Sequence, residues 1–343
     1  MARALTKDAG SVRAQQEDDG MHMVVGDIGG TKTNLALAEV DDAGVRLSAE
    51  QRYPSGEFES LDAIVGIYLK EIGTKCERAA FAVAGPVQRD RSKTTNLPWE
   101  LDGRRLEQVL GLATVRLLND LEAVAWGVAA LGPDDLAELH PGDGTAGNAC
   151  VVAAGTGLGE AGMFWDGAGH RPFATEGGHA DFAAGDELEC ALLTYLQERH
   201  GRVSWERVVS GMGIVNIYEF LLEWRGAEPA HLWSEQDDPA AAIAEAASSS
   251  GGCALCSETM ALFMRLYGRE AGNMALKHMA LGGVYLGGGI APKNLELLRG
   301  SDFLSAFFDK GRMETLMRRM PVKVICEQRA PLFGAARFLR QQG

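Results

Sequence analysis

Three times in this chain a short apolar run ends in a cluster of glycines. Met23-Val24-Val25 enters Gly26-Asp27-Ile28-Gly29-Gly30-Thr31, residues 148–154 enter Gly155-Thr156-Gly157-Leu158-Gly159, and Val284-Tyr285-Leu286 enters Gly287-Gly288-Gly289-Ile290. Glycine makes up 43 of 343 residues, nearly twice the usual share of roughly 7%. An apolar strand that ends in glycine predicts a tight turn with its backbone N–H groups open to a ligand. After the first two clusters the apolar pattern resumes, through Leu35-Ala36-Leu37 and through Met163-Phe164-Trp165. Each is a glycine-linked hairpin by this pattern. The stretch 24–40 thus has a counterpart at 149–165, which predicts two similar α/β halves facing a cleft.

The first cluster does not fit the common nucleotide fingerprints. Counted from Gly26, Thr31 stands where a Walker A loop needs glycine, and the residues after it alternate like a strand instead of opening a helix. Taken alone, each cluster is equally compatible with a plain hairpin. Three of them in one α/β chain suit a nucleotide held between two halves.

Polar residues with chemical promise sit beside these turns. Asn119-Asp120 ends one apolar strand and starts a helix. Ligands of α/β sheets bind beyond the carboxyl ends of strands, so Asp120 suits a base that takes a hydroxyl proton, a helix cap, or both. Glu176-Gly177-Gly178-His179 puts two hydrogen-bonding side chains around a flexible pair, which suits a polyhydroxylated ligand. Asn96, in the loop Thr94-Thr95-Asn96-Leu97-Pro98-Trp99, can both donate and accept. Glu206 is a further candidate. Asp181 lies near His179, but no second histidine or cysteine cluster supports a metal there.

Composition removes several functions. Lys+Arg 33 against Asp+Glu 47 gives a net charge of -14, which argues against nonspecific binding to nucleic acid or to an anionic membrane. The uncharged, glycine-rich stretch 279–292 is too short to span a bilayer. Six dispersed cysteines make no disulfide framework, so a reducing setting is expected. Cys253 and Cys256 form a lone pair at a helix start, read as core packing with a redox or metal role as the alternative. Residues 1–20 are polar and without periodicity, and they predict a disordered tail.

The C-terminal half reads as largely helical. Helices are expected over 186–198, over 205–209 under a Ser204 cap, over 213–224, and over 240–247 behind Asp238-Pro239. A long amphipathic helix is expected over 253–281, either continuous or broken at Gly268 or Gly272. Another helix, 121–131, should follow Asp120, with a last strand at 322–326 and a last helix at 331–339.

Taken together and in order, the glycine loops resemble those of the bacterial-type glucokinases of the hexokinase, Hsp70 and actin superfamily. So do Thr95–Trp99, Leu118-Asn119-Asp120, the run Glu176–Phe182 and the run Glu206–Gly211. The last two carry most of the specificity. The resemblance implies a two-domain, actin-like ATPase (ribonuclease H-like) α/β fold with a deep interdomain cleft. Residues 21–131, completed by 321–343, would form the small domain, and 132–320 the large one. It implies transfer of the γ-phosphoryl of MgATP to the 6-hydroxyl of glucose with Asp120 as base. Asn96, Asn119, Asp120, Glu176, His179 and Glu206 would hold the sugar. Asp27, Gly29, Gly30, Thr31, Gly155, Thr156, Gly157, Gly288 and Gly289 would hold the nucleotide, with Asp27 on Mg²⁺ through water. A homodimer in the cytoplasm is expected, with an organellar setting left open by the tail, and no nucleic-acid or membrane partner.

Thr31-Lys32-Thr33 resembles the repressor and sugar-kinase branch of the superfamily instead. That branch carries a cysteine-rich zinc motif after the histidine element, and residues 180–188 contain no cysteine, so zinc is not expected. The rivals are a kinase for mannose or an N-acetylated amino sugar, ADP or polyphosphate as donor, and a sugar sensor without turnover.

Overall fold

The computed structural model describes residues 22–94, 97–228, 238–249 and 252–342; the tail over residues 1–20 and the candidate Asn96 lie outside them. The strands are β1 (Met23–Ile28), β2 (Lys32–Asp41), β3 (Gly44–Pro54), β4 (Arg78–Val83), β5 (Arg91–Lys93), β6 (Glu100–Asp102), β7 (Thr114–Asn119), β8 (Leu136–His140), β9 (Ala149–Ala154), β10 (Leu158–Trp165), β11 (His170–Thr175), β12 (Gly283–Gly287) and β13 (Val322–Ile325). One sheet has the order β3-β2-β1-β4-β7 and the other β11-β10-β9-β12-β13-β8, with β5-β6 a separate ribbon.

The two sheets repeat one plan. In the first, β1, β2 and β3 form an antiparallel meander, and β4 and β7 extend it in parallel from β1. In the second, β9, β10 and β11 form the meander, and β12 and β13 extend it in parallel from β9. The parallel strands are buried along nearly their whole length, as sheets covered on both faces require. Edge strand β3 instead alternates toward solvent. The counterpart seen between residues 24–40 and 149–165 is therefore a repeated topology.

The main helices are α1 (Leu61–Ile72), α2 (Gly103–Leu110), α3 (Asp120–Val128), α4 (Glu187–His200), α5 (Gly211–Arg225), α6 (Pro239–Ser248), α7 (Ala254–His278) and a C-terminal helix, Ala330–Gln341. One face of the first sheet is covered with the help of α1 and α2. Helices α4 to α7 build the larger core on the second sheet. Helix α3 joins the lobes. Ala123 and Trp126 pack toward the first sheet, while Ala125 and Val128 pack toward Val151 and Met163 of the second. The C-terminal helix lies close along α3, because Gly127 and Gly334 have no Cβ; one added at Gly334 would meet the Ala123 carbonyl oxygen at 1.7 Å.

One open point is settled, and three expectations need correction. Helix α7 runs unbroken through Gly268 and Gly272, since these glycines admit the carbonyls of Phe303 and Phe307 from the helix Ser301–Phe308 instead of breaking the ladder. Ser204 makes no side-chain cap; Trp205–Arg207 is one 3₁₀ turn, and the real cap is Ser210, which accepts from Gly213 N–H at 3.0 Å. Helix α3 ends at Val128, short of the expected 131. The segment 321–343 is split: β13 pairs in the second sheet, and only the helix packs on the first. Among the described residues no helix is long and apolar enough to cross a membrane.

Candidate active site

The parallel strands of the first sheet end together. Asp27 of β1 is level with Ala82 of β4, which is level with Leu118 of β7. Asp27 and Asp120 therefore emerge at one edge. Asp120 is half-buried, and its carboxyl is pushed up to about 6, first by burial and then by the negative charge of Asp27 and Glu176. The Leu121 N–H donates to Asp120 Oδ1 at 2.9 Å and partly offsets that rise. Burial also raises Asp27, against a 3.3 Å hydrogen bond from Asn34 Nδ2 and the charge of Lys32. A carboxylate near 6 is mostly ionised at neutral pH yet basic enough to take a proton.

The cap of α3 is Asn119, not Asp120. Asn119 Oδ1 accepts from Leu121 N–H at 3.0 Å and Glu122 N–H at 3.2 Å, while its Nδ2 donates to Gly85 O at 3.1 Å. Three ties in a residue only 8% exposed leave one amide N–H for a ligand. Asn119 thus takes the N-cap position, and Asp120 is the first helical residue, sharing the Leu121 N–H.

In the first hairpin, the Gly29 N–H donates to the Lys32 carbonyl at 3.0 Å. Thr31 and Lys32 stand exposed and Gly30 half-buried. The turn is braced from behind. Buried Ser55 donates from Oγ to Gly29 O at 2.8 Å, shares a 3.0 Å hydrogen bond with buried Thr33 Oγ1, and donates its N–H to Thr31 O. No local pattern could have picked out Ser55, because its partner lies 26 residues upstream.

The second hairpin is occupied from below. Glu206 Oε2 accepts from Leu158 N–H at 3.0 Å and lies where a Cβ on Gly157 would meet it at 2.4 Å. A Cβ on Gly159 would meet Leu121 at 2.3 Å, so the start of α3 rests on this hairpin. Gly155 O accepts from Gly211 N–H at 2.8 Å, and its Cβ position is open.

Two loops are stitched together to form the remaining wall. Phe182 N–H donates to Val203 O, Trp205 N–H donates to Ala180 O, and Phe182 packs edge-on against Trp205. This brings His179 Nδ1 to 3.8 Å from Glu206 and its Nε2 to 4.0 Å from Glu176. Glu176 and His179 are more than half exposed, and Glu206 is mostly buried.

Gly288 and Gly289 follow β12, which is parallel to β9. Gly288 has φ +76°, and its missing Cβ admits the Ala154 carbonyl. Beyond it lies a cavity of about 950 Å³ between Gly155, Thr156 and Gly289 on one side and Met212, Ala240 and Ala244 on the other. The sequence pointed to the glycines but not to the wall from α5 and α6. Asp238 does cap α6, accepting from Ala241 N–H, with Pro239 at its first position. In the lone cysteine pair, Cys253 caps α7 by accepting from Cys256 N–H at 3.2 Å, and Cys256 is buried. Among the described residues no cluster of three His, Cys, Asp or Glu could hold a metal on its own.

These features are those of a two-lobed α/β fold of the actin and hexokinase kind, with carboxylates, backbone N–H groups and a cavity at strand ends. The glucokinase family model matches residues 24–342. Glucokinases of Nostoc punctiforme and Synechocystis are each 42% identical, covering 92% of this chain and 97% of theirs. The crystal structure of a glucokinase from an Antarctic psychrotroph superposes with TM-score 0.84 at 32% identity, covering 94% of this chain and 99% of that one. The chain belongs to the glucokinase family.

Proposed function

We infer that this chain is a kinase that converts ATP and D-glucose to ADP and glucose 6-phosphate, with Asp120 as the base that takes the 6-hydroxyl proton. The observation that carries the role of Asp120 is its carboxyl, raised to about 6 at a strand end, with Asn119 in the N-cap position beside it. Phosphoryl transfer needs alignment and charge neutralisation more than covalent chemistry. The backbone N–H groups of Gly30, Thr31, Thr156 and Gly157 are the proposed cradle for the phosphates, with Gly29 and Gly155 giving close approach while their own N–H groups close the turns onto Lys32 O and Gly157 O. The base and ribose would lie in the cavity between Gly288–Gly289 and α6. Glu176, His179 and Glu206, with Asn119 and Asn96, would bind the sugar hydroxyls. A site built to bond a hydroxyl rejects an analogue lacking it.

Mg²⁺ fits the residues present. Asp27 and Asp120 are two carboxylates whose proton affinity is raised chiefly by burial, which Lys32 offsets only in part at Asp27. Mg²⁺ takes one or two carboxylates plus phosphates and water, which agrees with the lack of a three-ligand cluster among the described residues. Asp27 would hold it, and when bound it would supply charge neutralisation at the phosphates.

Further parts of the proposal are a deep cleft of actin-like, ribonuclease H-like type, a small domain of about 21–131 with the C-terminal helix, and a homodimer. The pairing of two repeated sheets through α3 supports the domain reading. Light scattering after size exclusion tests the dimer.

The deciding experiment is ADP release from MgATP with glucose, mannose, fructose and N-acetylglucosamine as separate acceptors. Glucose should be the best acceptor. Asp120→Ala should lower kcat by about 10²–10⁴ with Tm little changed. Retention of more than about a tenth of wild-type turnover would overturn the assignment of the base.

A further inference from the structure

A buried pair of acids that the reaction does not use lies beneath the sugar loop. Glu160 of β10 is 1% exposed and Glu270 of α7 is 0% exposed. Neither carboxyl oxygen of Glu160 has an N–H or O–H donor from the rest of the described chain. Its polar neighbour is the Glu270 carboxyl. Glu270 is the better supplied of the two: Asn273 Nδ2 donates to its Oε2 at 2.9 Å, and Lys277 Nζ stands 3.9 Å from its Oε1. Two carboxylates cannot share such a dry site as anions. Burial and the charge of Glu270 push Glu160 up to about 8, so Glu160 carries the proton and donates it to Glu270.

The position of this acid ties it to the loop. A Cβ on Gly177 would lie 1.9 Å from Glu160 Oε2, so the Gly177 backbone rests directly on the carboxyl. Thr175 completes the floor, donating its hydroxyl to the Glu160 carbonyl at 3.1 Å and accepting from Gly177 N–H at 3.2 Å. Glu176 and His179 flank the Gly177-Gly178 pair. The other titratable groups near the pair are Cys150 on β9, Tyr267 on α7, and Lys310, whose Nζ donates to Asn273 Oδ1 at 2.9 Å. Burial drives the Cys150 thiol and the Tyr267 phenol upward, so both stay neutral; the cations Lys277 and Lys310 face Glu270.

We propose that Glu160 is a positioning residue for sugar binding: held as a neutral acid on Glu270, it supports Gly177 and so sets the placement of Glu176 and His179. The inference rests on the sugar-binding reading of that turn. Loss of the proton would put a second negative charge under Gly177 and push the turn off its floor. Small misplacements of binding groups are costly.

The test compares wild type, Glu160→Gln and Glu160→Ala across about pH 6 to 10, with KM for glucose, KM for ATP and kcat measured at each pH. For wild type, glucose KM should rise above about pH 8, by up to about tenfold per pH unit. ATP KM should stay flat. Glu160→Gln, which still donates to Glu270 and cannot ionise, should keep the neutral-pH glucose KM and lose the alkaline rise. Glu160→Ala should raise glucose KM by about tenfold at every pH. An equal alkaline rise in wild type and Glu160→Gln overturns the proposal even if the alanine variant does not fold. Amide hydrogen exchange over residues 175–182 without substrate separates the two readings. Faster exchange in wild type than in Glu160→Gln above about pH 8, in a protein that fails to phosphorylate glucose, supports the acid floor and sinks the substrate. Identical exchange in the two proteins sinks the acid floor.

Discussion

The two glycine hairpins look alike in sequence and differ in what their glycines are for. In the first, Gly29 closes the turn onto Lys32, Thr31 stays exposed, and the bracing comes from Ser55 behind the loop. In the second, the space left by missing Cβ atoms is filled: Gly157 admits Glu206, Gly159 admits Leu121, and nearby Gly178 admits the Leu158 carbonyl. The first hairpin keeps its glycines within its own sheet and turn, Gly26 admitting Phe81 and Leu35 and Gly29 bonding the Lys32 carbonyl. The other uses most of them to bring sugar-site side chains and the helix of Asp120 into contact. A glycine signature therefore marks close approach without saying what approaches.

The largest effect that would sharpen this contrast lies in the acid limb of the reaction. The first hairpin contributes the Asp27 charge beside Asp120, and the second contributes none there. With Asp120 at about 6, kcat/KM should fall about tenfold per pH unit below that value. A pH profile with no inflection between about 5 and 7 would break the link. The sign for stability is opposite. An acid whose folded value lies above its ordinary 3.8 stabilises the fold at low pH, and that contribution is lost as pH rises toward about 6.

The second hairpin can be probed at two glycines two residues apart. Gly157→Ala drives a methyl into Glu206 and should raise glucose KM by about tenfold. Gly155→Ala meets open space, so Tm should hardly move, within roughly 0.5 kcal/mol. A severalfold rise in ATP KM for Gly155→Ala would mark it as the phosphate-facing member. If both variants raised only ATP KM, the division of labour drawn here would be wrong. The bracing behind the first hairpin is read through stability instead of activity. Ser55→Ala leaves Thr33 and the Gly29 carbonyl short of a buried partner, at about 1–3 kcal/mol. Urea unfolding reads that loss, and an unchanged midpoint would show that water replaces the hydroxyl.

Much of the fold was legible because its signals are local. Apolar strands that end in glycine, the Asp238-Pro239 start of α6 and the helix after Asn119 all depend on a few adjacent residues. Expectations failed where glycine serves a distant partner, and at one local cap. Gly268 and Gly272 read as candidate helix breakers, yet they seat Phe303 and Phe307 carbonyls. Ser204 has the composition of a cap, but Ser210 has the geometry. Of the candidate site, the residues at strand ends were visible. The cavity wall from Met212, Ala240 and Ala244 was not, since small apolar residues on a helix give no chemical sign.

By itself the sequence determined the strands, the turns and the residues with donors, acceptors and charge, because local propensity and hydrophobic pattern act over a few positions. Only the tertiary structure decided which member of Asn119-Asp120 caps the helix and which is left to react. Likewise, only the folded chain places Glu206 over Gly157 and Glu160 under Gly177. Desolvation and contact depend on what surrounds a group in space, and here those surroundings come from segments tens to more than a hundred residues away.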